Sequence, residues 1–105
     1  MEIKNILFIC KHNAFRSKIA ENYFNQINKN KNVVAMSSGV FPAKLADLPL
    51  GLMKKFGFKI ITPPRPTTPD ILKNQDLVII VADDIPKDLF NHNQKFYGFL
   101  KDKVI

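Results

Sequence analysis

Apolar and polar positions fall in blocks along the chain, and the period of the pattern changes from block to block. Residues 3–9, Ile3-Lys4-Asn5-Ile6-Leu7-Phe8-Ile9, form an apolar run rich in β-branched and aromatic side chains. A run of this kind that ends in a polar loop predicts a buried parallel strand. From Ser17 onward, Ile19, Ala20, Tyr23, Phe24 and Ile27 recur at helical spacing, with Lys18, Glu21, Asn22, Asn25 and Gln26 between them. This is an amphipathic helix. It opens at Ser17 or just before it, where a hydroxyl can cap the first turn. The polar stretch 28–32 ends the helix. Asn32-Val33-Val34-Ala35-Met36 predicts a second short strand, followed by Ser37, Ser38 and Gly39.

Asp47, Leu48 and Pro49 mark a second helix start, since Pro suits a first turn whose N–H has no partner; Leu52, Met53 and Phe56 supply its buried stripe and Gly57 its stop. Residues 62–69 hold four prolines and form a loop. Pro69 to Asn74 predicts a helical turn, and Asp76 to Ala82 is the clearest buried strand in the chain. Pro86 to Phe90 reads as a short helix and Lys103-Val104-Ile105 as the opening of another strand. Strands alternating with helices imply βαβ units, a parallel sheet and an α/β fold. Phe8, Phe24, Phe56 and Phe58 read as core.

The chain has 105 residues, read as one domain over 1–105 with no repeat, linker or low-complexity tract. Its 46% apolar content excludes intrinsic disorder. No apolar run approaches the roughly 18 residues of a membrane span. The first ten residues carry Glu2 and Lys4 and no small-residue cleavage site. A soluble, unsecreted protein with no membrane partner is expected. One cysteine cannot make an internal disulfide and fits a reducing, cytoplasmic setting. The net charge of +7 favours anionic partners. The cations are 14 Lys and 2 Arg scattered along the chain, which reads as a solvated surface. With no recognition helix or aromatic–basic alternation, no nucleic-acid partner is expected. Two isolated His and one Cys make no metal site, and nothing calls for a cofactor. The oligomeric state is left open.

The segment that carries chemistry is Cys10-Lys11-His12-Asn13-Ala14-Phe15-Arg16-Ser17, between the first strand and the first helix. In open α/β sheets ligands bind at the carboxyl ends of strands, and a loop feeding a helix N-terminus presents free N–H groups to an anion. Five residues between Cys10 and Arg16 let the backbone curl into a cup with successive N–H groups inward, suited to a tetrahedral oxyanion. N–H dipoles, a helix N-terminus and a guanidinium favour the nucleophilic thiolate on Cys10. The planar fork of Arg16 can bind two equatorial phosphoryl oxygens. Ser17 could donate to the sulfur, and Asn13 could brace the loop through side-chain to backbone bonds in a left-handed conformation. The alternative is that Cys10 is a small buried hydrophobe and Arg16 a surface charge.

Ile6 to Phe24 resembles the nucleophile loop and first helix of low-molecular-weight protein tyrosine phosphatases and of the thioredoxin-linked arsenate reductases that share their fold. Ser37-Ser38-Gly39, Asp47 to Phe58, Arg65 and Asp76 to Ala82 resemble successive segments of the same family. The resemblance implies a three-layer α/β domain with a small four-stranded parallel sheet in order 2-1-3-4. It also implies that Cys10 attacks phosphorus and Arg16 binds the oxyanion while Asn13 and Ser17 steady the loop. Lys11, His12, Ala14 and Phe15 complete the phosphate-binding loop. His12-Asn13-Ala14 is closer to the arsenate-reductase style of loop. Phosphate, arsenate or a phosphorylated substrate is the implied partner.

The sequence departs from the family in three places. The two further cysteines of intramolecular arsenate reduction are missing. Phe15 replaces a second loop cysteine. No Asp-Pro pair is present, and the family's closing helix has no counterpart before Ile105, which reads as a truncated or shortened chain. Asp102 and Asp83 are the candidates for the leaving-group acid or for loop orientation, and Asp84 shares the place of Asp83. The function expected is hydrolysis of phosphate monoesters. The rivals are arsenate reduction with an external thiol and a degenerate phosphate-binding module without turnover.

Overall fold

The computed structural model describes residues 3–59, 61–82 and 85. Three parallel strands, β1 (Asn5–Cys10), β2 (Val34–Gly39) and β3 (Leu77–Ile80), stand in the order β2-β1-β3. Helices α1 (Arg16–Ile27), α2 (Leu50–Lys55) and α3 (Pro69–Lys73) connect them, with a 3-10 turn at Leu45–Asp47. The expected sheet has four strands in order 2-1-3-4; the described residues form three. The helix expected at 86–90 and the strand expected at 103–105 lie outside them.

β1 pairs with β2 from Asn5 opposite Val34 to Cys10 opposite Gly39, and with β3 from Ile6 opposite Leu77 to Ile9 opposite Ile80. The alternation of a strand sends its residues to two cores. Leu7 and Ile9 pack with Leu72, Val78 and Ile85, against Ile71 of α3. Ile6 and Phe8 pack with Ala35 against Ala20 and Phe24 of α1, the Phe8 and Phe24 rings 6.3 Å apart. Helices therefore flank the sheet on both faces. The lower end of β1 is tied by Asp76, whose carboxylate accepts the N–H groups of Lys4 at 2.8 Å and Asn5 at 2.9 Å.

Several boundaries differ from the sequence reading. β2 starts two residues late and runs through Gly39, because each of its residues has a partner on β1. α1 opens at Arg16 with Phe15 as N-cap and no side-chain cap; Ser17 lies inside the first turn, its hydroxyl committed elsewhere. Its apolar stripe is only partly used, with Tyr23 64% and Ile27 56% exposed. On α2 only Met53 is buried, while Leu52 and Phe56 are exposed, so neither they nor Phe56 as a core ring hold as read. Gly57, at φ 78, follows α2 in the left-handed region expected of a helix stop. α3 is capped by the Thr68 hydroxyl, which accepts from the Ile71 N–H with Pro69 in the first turn.

Candidate active site

The carboxyl end of β1 delivers Cys10 to a loop that leans on the end of β2. The N–H groups of Val40, Phe41 and Ala43 donate to the carbonyls of Cys10, Lys11 and His12, at 3.1, 2.7 and 2.9 Å. Across a planar trans peptide the next N–H points opposite to the carbonyl. Three carbonyls turned outward thus turn the N–H groups of Lys11, His12 and Asn13 inward. The third meets the sulfur, with Asn13 N 3.2 Å from Cys10 Sγ. No described residue accepts from the N–H groups of Lys11, His12, Ala14 or Phe15. The first turn of α1 adds its own donors without a side-chain cap. Close approach of the two strands' ends requires Gly39, where a Cβ would lie 2.7 Å from both Asn13 N and His12 C.

Asn13 is fully buried at φ 51, a conformation Asn tolerates better than most residues. Its Oδ1 accepts the Arg65 N–H at 2.8 Å, and its Nδ2 donates to Ser17 Oγ at 2.7 Å and Ser37 Oγ at 2.9 Å. Ser37 in turn donates to Glu21 Oε1 at 2.7 Å. An amide nitrogen only donates, so Ser17 Oγ keeps its own proton for Cys10 Sγ, 2.9 Å away. The sulfur is thereby offered two donors, the arrangement that suits a thiolate.

The other loop residues sit around this centre. Arg16 opens α1 and is exposed. His12 is exposed with Nδ1 2.9 Å from the Phe41 carbonyl, which can only accept, so that nitrogen donates. Lys11 and Ala14 are half-buried. The Phe15 ring stacks on Phe58 at 6.3 Å and meets Phe56 edge-on at 5.7 Å, pinning the loop's far end to the segment after α2. Asp83 and Asp102 lie outside the described residues. The prolines of 62–69 deliver Arg65, whose carbonyl accepts the Gly39 N–H at 2.8 Å and whose Nη1 donates to the Ser37 carbonyl at 3.3 Å.

Ser37, Glu21, Gly39 and Lys18 join the site without having been singled out as site residues. Two serines in an otherwise apolar strand were the available signal for Ser37; Lys18, read among the polar positions of the helix, gave none. Lys18 is 1% exposed, its Nζ donating to Thr62 Oγ1 at 2.8 Å and to the Pro63 carbonyl at 3.0 Å. Burial pushes its ammonium down from the usual 10.5, as does Arg65, while Glu21 and Cys10 act the other way. No cluster of three His, Cys, Asp or Glu that could hold a metal occurs among the described residues, and no described helix is long and apolar enough to cross a membrane.

A model of the low molecular weight phosphotyrosine protein phosphatase family matches residues 5–101. Among solved structures, a low molecular weight protein tyrosine phosphatase from T. tengcongensis is 28% identical, covering 96% of this chain and 71% of that one at a TM-score of 0.73. A cysteine-to-serine variant of YwlE arginine phosphatase with a phosphorylated active-site serine is 26% identical, covering 96% and 67%, TM-score 0.69. A thioredoxin-dependent arsenate reductase from Corynebacterium glutamicum is 33% identical over 80% of this chain but 44% of its own, TM-score 0.63. No curated protein sequence matches the chain.

Proposed function

The chain belongs to the low molecular weight phosphotyrosine protein phosphatase family, and from that membership we propose that it is a cysteine-dependent phosphatase hydrolysing phosphate monoesters, phosphotyrosine among the candidates. In this reading residues 1–105 act as one cytoplasmic domain. The Cys10 thiolate attacks phosphorus in line. An S–P bond forms as the ester P–O bond breaks, and the departing oxygen takes a proton. Water then attacks the thiophosphate, releasing inorganic phosphate and the thiolate. The loop N–H groups and Arg16 hold the equatorial oxygens throughout. The observation that carries the reading is the sulfur held between Ser17 Oγ and the Asn13 N–H, at the bottom of an inward-turned loop.

Asp83 and Asp102 are the candidates for the proton donor or for orienting the loop. General acid catalysis contributes about 10²- to 10⁴-fold, so esters with good leaving groups should react even where that step is weak. A second reading, arsenate reduction with an external thiol, draws on the likeness to the arsenate reductase and on the His12-Asn13-Ala14 loop.

The test is a rapid-quench reaction of the chain with an activated aryl phosphate, read by intact mass. Cys10→Ala serves as the control, since a serine in this position is phosphorylated in the YwlE variant. A phosphoryl adduct in the wild type alone supports the phosphatase. Without an adduct, phosphate protection of Cys10 from alkylation would mark a binding module, and thiol-dependent loss of arsenate a reductase. Peptides bearing phosphotyrosine or phosphoarginine then separate the substrate classes.

A further inference from the structure

Lys18 is in an unfavourable place for a lysine. It lies in the first turn of α1, where the helix dipole disfavours a cation, and its side chain is fully buried. Two hydrogen bonds offset these costs, and both go to the same partner segment: Thr62 Oγ1 and the Pro63 carbonyl. Two residues further on, Arg65 donates its N–H to Asn13 and its guanidinium to the Ser37 carbonyl, and its own carbonyl accepts the Gly39 N–H. The segment from Thr62 to Arg65 is thus clamped at one end by Lys18 and at the other by the residues that hold the Cys10 loop. In the same helical turn, Ser17 touches the sulfur.

We propose that Lys18 is a positioning residue of the Cys10 site: it ties the 62–65 segment to α1, thereby holding Asn13 and the oxyanion cup in shape. Glu21 lies one turn along α1 and receives the Ser37 proton, so it belongs to the network that Lys18 supports. The tether needs only donors, which even a neutral amine keeps.

The inference rests on the phosphatase reading for the purpose of the cup, but its readouts do not require turnover. Inorganic phosphate is titrated against the full chain by protection of Cys10 from iodoacetamide. Lys18→Met, similar in length but without charge or donors, is expected to weaken phosphate binding about tenfold, the equivalent of one lost buried anchor. Lys18→Arg, which keeps the donors, should restore phosphate binding toward the wild-type value. Thr62→Val should weaken it about threefold or more. Wild-type phosphate affinity in folded Lys18→Met overturns the proposal. If that variant does not fold, unchanged affinity in Thr62→Val overturns it. A missing phosphoryl adduct with these differences intact removes the phosphatase reading alone.

Discussion

Asn13→Asp is the most informative substitution at the site, because it keeps the shape of the side chain and its tolerance of φ 51 while inverting its hydrogen bonding. Oδ1 can still accept the Arg65 N–H, but the group that donates to Ser17 and Ser37 becomes an acceptor. Ser37 must then abandon either Glu21 or the new carboxylate, and Ser17 turns its proton away from Cys10 Sγ. Loss of a hydrogen bond to a charged sulfur costs about 1.5–3 kcal/mol. The new charge lies no farther from the sulfur than the Nδ2–Oγ and Oγ–Sγ bonds laid end to end, about 5–6 Å, where an effective dielectric near 20 gives about 3 kcal/mol. At about 1.4 kcal/mol per factor of ten, together these are expected to slow Cys10 alkylation near neutral pH by at least about tenfold. The assay is the iodoacetamide rate at pH 7.5, followed by mass, on protein shown to be folded by circular dichroism. A slowing of less than about threefold would refute the direction assigned to the Ser17 hydroxyl and with it the account of how the sulfur is held.

Other outcomes follow from the same contacts. Gly39→Ala places a Cβ 2.7 Å from loop backbone and is expected to lower stability by about 2 kcal/mol or more in urea unfolding and to weaken phosphate binding, whereas Gly51→Ala, in open space on α2, should be neutral or stabilising by up to about 1 kcal/mol. Because burial lowers Lys18 from 10.5, the folded state binds fewer protons than the unfolded chain as pH approaches 10.5. Lys18 therefore costs stability at low pH and that cost is relieved as pH rises. Urea unfolding at pH 7.5 and 10 should show a gain in the wild type relative to Lys18→Met, and an equal response in both would contradict it. Asp76→Ala removes the acceptor for the N–H groups of Lys4 and Asn5 and should cost about 1–3 kcal/mol while the phosphoryl adduct on Cys10 still forms, since the site lies at the other end of the strand.

What the sequence determined by itself is what local chemistry decides. The apolar run into Cys10, the spacing to Arg16 and the periodic stretch behind it specify strand, loop and helix within about two dozen residues, and Thr68-Pro69 and Gly57 punctuate α3 and α2 through bonds and dihedral preferences that span a single turn. Where local and distant partners competed, the distant ones prevailed. The Ser17 hydroxyl could have capped a helix, yet it goes to sulfur, because α1 opens one residue earlier at Arg16 and places Ser17 past the cap position. Leu52 and Phe56 have the spacing of a buried stripe but stay exposed, since α2 is a short helix of six residues with Met53 alone buried. Only the tertiary structure could bring Ser37 and Arg65 to Asn13 of the Cys10 loop and Thr62 to the first helical turn, across 24 to 52 positions of chain, and turn Lys18 inward. Such contacts leave no periodic trace, because each is a single polar pairing made once the sheet has set the register, and a buried polar group reveals its partner only when both are folded together.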